Sequence, residues 1–247
     1  MIFRNVNLGK IALLFGSVLL SLTLTGCDRT YSPEEIAQAK EKKEKHCRDH
    51  ICEGDVLPKR ESKTEAVLKL NNQFFIGPNE YFANGRPSSG FYWPSKFPFS
   101  KAPPELIQSG PGRLSNFSDV AIEIFFRSNP NHSSNAPSRY QALLRAEQEG
   151  RLVSKKTLRQ GLEVWHIRMN DGRRDGVWYV ATKLKGSDGD APVLWCDQND
   201  AKYDRCTTAF WWEPGIAVDM RFRAKHGPDW PDIYQETMHV LSLLKKG

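Results

Sequence analysis

Apolar and polar positions alternate most cleanly at Val120-Ala-Ile-Glu-Ile-Phe-Phe-Arg127, where Val120, Ile122, Ile124 and Phe126 share one face of a strand. Ala66-Val-Leu-Lys-Leu70 and Gln73-Phe-Phe-Ile76 are also strand-like. The Asn71-Asn72 pair between them tolerates positive φ, which predicts a tight hairpin, and Gly77-Pro78 ends its second strand. In the C-terminal half, strands over 162–169 and 177–184 flank the turn-rich stretch 170–176. Val193-Leu-Trp-Cys196 follows, and strands over 205–212 and 216–222 then flank Glu213-Pro214-Gly215. The period lengthens in two places. Pro137 to Glu149 sets Tyr140, Leu143, Leu144 and Glu147 at helical spacing before Gly150, and Pro231 to Lys246 carries a stripe of Ile233, Thr237, Val240, Leu241 and Leu244. Residues 84–118 are rich in Gly, Pro and Ser and predict a long irregular loop, and 129–135 predict a turn-rich break. Adjacent hairpins with few helices predict an α+β fold, a largely antiparallel sheet with a few packed helices.

The N-terminal segment departs from this pattern. Arg4 and Lys10 precede an apolar run that ends at Leu24-Thr25-Gly26-Cys27. The run is short and rich in Ser and Thr for a span of about 20 apolar residues, and it suits an export signal. Its end resembles a bacterial lipobox, which implies cleavage before Cys27 and acylation of that cysteine. A membrane anchor follows, because buried methylenes contribute about 0.8 kcal/mol each. Asp28 resembles the enterobacterial signal for retention on the periplasmic side of the inner membrane. The expected organisation is a signal peptide over 1–26, a lipid-anchored tether and stalk over 27–65, and a binding domain over 66–247. Within the tether, Ser32-Pro33-Glu34-Glu35 predicts a helix start with Ser as N-cap and Pro at N1. Its few apolar positions make it a solvated stalk.

Composition removes several function classes. The 247 residues are 39% hydrophobic and 26% charged, as in an ordinary folded chain. Formal charge is +6, and loss of Arg4 and Lys10 with the signal lowers it. Lys and Arg are interspersed, so no nucleic-acid partner is expected. Of five cysteines, lipidation at Cys27 leaves Cys47, Cys52, Cys196 and Cys206. An even remainder in an oxidising compartment predicts two disulfides. Sequence proximity favours Cys47–Cys52 and Cys196–Cys206 among three connectivities. The first bridge would require the stalk helix to end near Cys47, since helical geometry holds those two residues too far apart. A metal site at His46-Cys47-Arg-Asp-His50-Ile-Cys52 is the alternative, but its spacing matches no zinc-finger signature.

No catalytic motif emerges. The chain lacks a Gly-x-Ser-x-Gly elbow, His-Glu-x-x-His, a phosphate-binding loop and a dinucleotide-binding fingerprint. The acidic stretch from Asp188 to Asp204 lacks calcium-loop offsets and reads as a solvated turn. His166 on a strand and His239 on a helix read as structural. No cofactor or metal is expected. The candidates for partner binding are Tyr92, Trp93, Phe97 and Phe99, aromatics in the proline-rich segment, with Arg173 and Arg174 at a hairpin tip. Aromatic and Arg side chains are common interface anchors.

The lipobox, Leu68-Lys-Leu-Asn-Asn-Gln-Phe-Phe-Ile-Gly-Pro78 and Phe91-Tyr-Trp-Pro-Ser-Lys96 together resemble bacterial immunity lipoproteins that neutralise type VI secretion lipase effectors. The resemblance implies a non-enzymatic protein that occludes a secreted toxin's active site in a one-to-one complex. An envelope assembly or stress lipoprotein with a resident partner, and an enzyme with an unfamiliar site, remain the other readings of the residues.

Overall fold

A computed structural model describes residues 32–104, 119–128, 138–168, 176–197 and 205–247. The expectations for Cys27, Asp28, Arg173 and Arg174 lie outside these residues. The chain divides into two units, Met1–Ala39 and Lys40–Gly247. Among the described residues no helix is long and apolar enough to cross a membrane.

Helix α1 spans Pro33–Asp49. Its start is a capping box: the Glu35 amide donates to Ser32 Oγ at 3.2 Å, and the Ser32 amide donates to Glu35 Oε2 at 2.8 Å. None of its residues is buried. The bond Cys47–Cys52 closes its C-terminal end. Chain leaving this end is tied to the hairpin β1 (Glu65–Leu70) and β2 (Gln73–Pro78). The Asn71 amide donates to Asp49 Oδ1 at 3.0 Å, and Lys69 Nζ reaches Asp55 Oδ1 at 2.6 Å. Asn71 and Asn72 adopt φ of 50° and 59°, the conformation that the hairpin turn demands.

The fold is α+β. Its main sheet contains β3 (Ser88–Trp93), β4 (Val120–Ser128), β5 (Leu152–Arg159), β6 (Leu162–Ile167), β7 (Gly176–Val180), β8 (Val193–Asp197), β9 (Arg205–Glu213) and β10 (Ile216–Arg223). The spatial order is β3-β4-β10-β9-β8-β7-β6-β5, antiparallel throughout. A second sheet joins β1, β2 and the short β11 (Lys245–Lys246). Helix α2 spans Arg139–Gln148, and α3 spans Trp230–Ser242.

Two apolar clusters hold the sheet. The larger one takes Val120, Ile122, Ile124 and Phe126 from β4, Val218 and Met220 from β10, and Ile233, Val240 and Leu241 from α3. Alternation places these β4 and β10 residues on one face. The opposite face of the sheet packs Trp165, Ile167, Val180 and Val193 against Leu143 and Ala146 of α2. Complete burial of a large apolar side chain such as Trp165 or Trp230 stabilises by about 1.5–3 kcal/mol.

Two strands depart from the sequence expectation. Residues 88–93 form β3, inside the stretch expected to be an irregular loop. Ser88-Ser-Gly90 carries no strand signal of its own, and register with β4, from Ser88↔Phe125 to Trp93↔Val120, supplies the partner. Strand β5 has no alternating pattern because it is the sheet edge. Val153 and Leu158 are exposed, and register shifts interrupt its ladder with β6.

Candidate binding surfaces

The four candidate aromatics separate on folding. Strand parity turns Trp93 into the main core, where its indole N–H donates to Asp229 Oδ2 at 3.1 Å. Tyr92 points the other way and meets Phe99 edge-on at 5.1 Å. Phe99 lies over Gly90, where a β-carbon would sit 2.2 Å from its ring. Trp93 and Tyr92 retain only 8% and 9% of their exposure, and burial pushes the Tyr92 phenol pKa up. Phe97, at 42%, is the member of the set with a largely accessible ring. The segment therefore caps the core and leaves one exposed aromatic.

Both cysteine pairs in the described residues are bonded as sequence proximity favours. Cys196 and Cys206 are directly opposite on β8 and β9 and fully buried. Among the described residues His226 meets a carboxylate, with its Nδ1 2.9 Å from Asp229 Oδ2. Both residues lie in the 3-10 turn Ala224–Asp229, three positions apart, with Asp229 also the N-cap of α3. The His226 Nε2 is buried without a hydrogen-bond partner, so the ring is not presented to solvent for proton transfer.

A polar face assembles on the side of the sheet opposite the main core. Alternation on β4, β9 and β10 directs Arg127, Arg205, Arg221 and Arg223 there, with Glu123 and Asp219. The Arg221 guanidinium lies 5.2 Å from the Phe125 ring centroid, and Arg127 pairs with Asp219. Arg139, the first residue of α2, donates to the Thr207 carbonyl at 3.4 Å. Burial pushes its pKa down, and the charge of Asp219 opposes that shift. Arg127, Arg205 and Arg221 remain exposed. Guanidinium groups held by rings and carboxylates are suited to bidentate pairing with acidic groups on a protein surface.

Beside this face, the start of α2, the 186–192 loop, β9 and α3 enclose a cleft of about 160 Å³. Ser138 is the N-cap of α2. It accepts from the Gln141 amide at 3.1 Å and donates to Asp190 Oδ2 at 2.6 Å. Gln141 Nε2 also donates to the Asp190 carboxylate, at 3.0 Å to Oδ1. Thus Asp190, read from sequence as part of a solvated turn, binds the helix start, where its charge also complements the dipole. Tyr234 of α3 lines the same cleft, packed edge-on against Phe210 at 5.2 Å. Its hydroxyl is buried with no hydrogen-bond partner. Burial, followed by the nearby charge of Asp188, pushes its pKa up to about 12.

No protein-family model matches the chain, and no curated protein matches it. Among solved structures it is similar to Smlt3025, an immunity protein of the Stenotrophomonas maltophilia type IV secretion system. That match covers 78% of this chain and 100% of the other, at 15% identity and a TM-score of 0.46. A likeness at that level carries no functional inference.

Proposed function

We propose that this is a lipoprotein anchored through Cys27 on the periplasmic side of the bacterial inner membrane, and that it binds a protein partner by occupancy, not turnover. The partner proposed is a secreted antibacterial effector whose active site it occludes, with the lipase effectors of type VI secretion as the specific class. The observation that carries the binding reading is the exposed arginine face on β4, β9 and β10, with Arg221 seated over Phe125. A disulfide on β8 and β9 stiffens the sheet under it. A stable complex needs about 800 Å² per partner, with Arg and aromatic anchors at its centre.

The test is a competition assay against a toxin-armed sibling strain. Deletion of the gene lowers survival, and the full-length chain restores it. The double variant Arg127→Glu, Arg221→Glu accumulates in membranes at the wild-type level and fails to restore it. Unchanged survival of the deletion strain, with the toxin demonstrably active, overturns the toxin reading.

A further inference from the structure

We infer that β5, the exposed edge of the main sheet, pairs with an extended segment of the protein partner that carries two consecutive acidic residues. The inference deepens the binding reading: it rests on that reading for the existence of a protein partner, and on the geometry for the edge and its chemistry.

The two edges of the sheet differ. Outside β3, Phe82 bridges Ser89 and Pro98 bridges Phe91, so other parts of the chain cover that edge. β5 ends the strand order, and no strand or bridge lies outside it among the described residues. Val153 and every residue from Lys155 to Arg159 are exposed. Such an edge presents backbone N–H and C=O groups that a further strand can pair with. The template beneath it is firm. β6 is paired on both sides, and its Trp165 is fully buried under Lys155. Register runs without a shift from Ser154↔His166 to Thr157↔Glu163, and irregularities stand at both ends. At about 3.4 Å per residue this regular stretch is about 14 Å long, which suits a short segment.

The charge of the occupant follows from the edge. Arg151 to Gln160 holds Arg151, Lys155, Lys156 and Arg159 and no acid. Arg151 pairs with Glu149 at 2.7 Å, and Arg159 pairs with Asp232 at 2.6 Å. Lys155 Nζ lies 4.0 Å from the Trp165 ring centroid, with Glu163 and Glu147 at 3.7 and 3.9 Å, beyond hydrogen-bond distance. Lys156 has no ion pair among the described residues, and the residue opposite it on β6 is Val164. Lys155 shares a face with Trp165, and Lys156 lies on the other face. A strand added outside β5 alternates in the same way, so the side chains beside Lys155 and Lys156 are consecutive in its sequence. Acidic residues at both positions form opposite-charge cross-strand pairs. A second copy of β5 in central register would set lysine against lysine, which is destabilising. Edge lysines repel an arbitrary strand and select an acidic one.

The experiment titrates the full-length chain in detergent micelles with the blocked peptide Thr-Val-Glu-Glu-Val-Thr and its Lys-Lys counterpart. Two further copies of the acidic peptide are N-methylated at alternate residues, one in each phase. Amide shifts and hydrogen exchange over 154–157 are followed by NMR. The acidic peptide binds wild-type protein and slows exchange at alternate amides, those whose N–H points outward. The lysine peptide, and the copy methylated in the phase that faces β5, bind at least about tenfold more weakly. Lys156→Glu, at an exposed side chain, lowers affinity about three- to tenfold. The double variant Arg127→Glu, Arg221→Glu binds the peptide as wild type does, because those residues lie on other strands. Millimolar peptide with no shift, equal binding of the lysine peptide, unchanged affinity of both methylated copies, unchanged affinity in Lys156→Glu, or loss of binding in the arginine variant overturns the inference. Concentration-dependent protection of 154–157 without peptide assigns the edge to a second copy and also overturns it. Peptide binding together with unchanged survival in the competition assay keeps the edge and removes the toxin. Gene-dependent survival without peptide binding does the reverse.

Discussion

Asp55 accepts the Cys52 amide at 2.8 Å and the Lys69 ammonium at 2.6 Å, and these two bonds hold its carboxyl below the ordinary 3.8. A folded-state pKa below the unfolded value stabilises fully above 3.8, and the contribution disappears as pH falls through the folded pKa. Asp55→Asn is therefore less stable than wild type at neutral pH, and urea midpoints of the two proteins converge in acid. A gap independent of pH would remove ionisation from the account. Tyr234 acts at the other limb. Its phenol titrates at about 12 folded against 10.0 unfolded, so its effect is nil below 10.0 and stability falls as pH rises through that window. In Tyr234→Phe, the alkaline fall in urea midpoint is smaller than in wild type. The Asp55 shift comes first from the Cys52 amide three residues away and then from Lys69 across the fold, and the Tyr234 shift comes from burial in the core, so only the first of these causes lies close in the chain.

At the scale of elements, β3 depends on a residue without a side chain. An alanine at Gly90 would set its β-carbon 2.2 Å from the Phe99 ring and 2.6 Å from the Ile122 carbonyl. The backbone contact cannot rotate away, so Gly90→Ala costs about 1–3 kcal/mol, measurable in denaturant unfolding. Tyr92 loses its contact with Phe99 in the same variant, and its fluorescence environment changes. The β8–β9 staple makes a second prediction. Replacing Cys196 and Cys206 together by alanine removes a bridge across ten positions, worth about 3 kcal/mol in a loop-entropy model. The doubly substituted protein unfolds at correspondingly lower urea. Elements differed in legibility for a physical reason. β4 and α3 bury one face and so show a period, while β5 is exposed along most of its length and shows none. β3 acquires its strand form from pairing with β4, which a local reading does not contain.

At the scale of the whole molecule, the proposed lipid anchor and the binding surfaces can be separated experimentally. Cys27→Ser removes the thiol that would accept the lipid. The expected product is an unacylated chain released from membranes, detected by fractionation and by mass spectrometry of its N-terminus. Its protection against toxin falls, while its affinity for the purified toxin is unchanged. Retention in membranes with full protection would remove acylation from the mechanism.

Sequence alone determined the strand and helix periods that face the core, the hairpin at Asn71-Asn72, and a cysteine pairing set by short separation. Each of these depends on residues close in the chain. Tertiary structure alone decided the arginine face and the cleft. The first requires β4, β10 and β9 to lie side by side, an order different from their order in the chain. The second brings Ser138 to Asp190 across 52 positions and adds Tyr234 from the last helix. Local periodicity records which side of an element is buried. It contains no record of which elements become neighbours, and that adjacency is what assembled these polar groups.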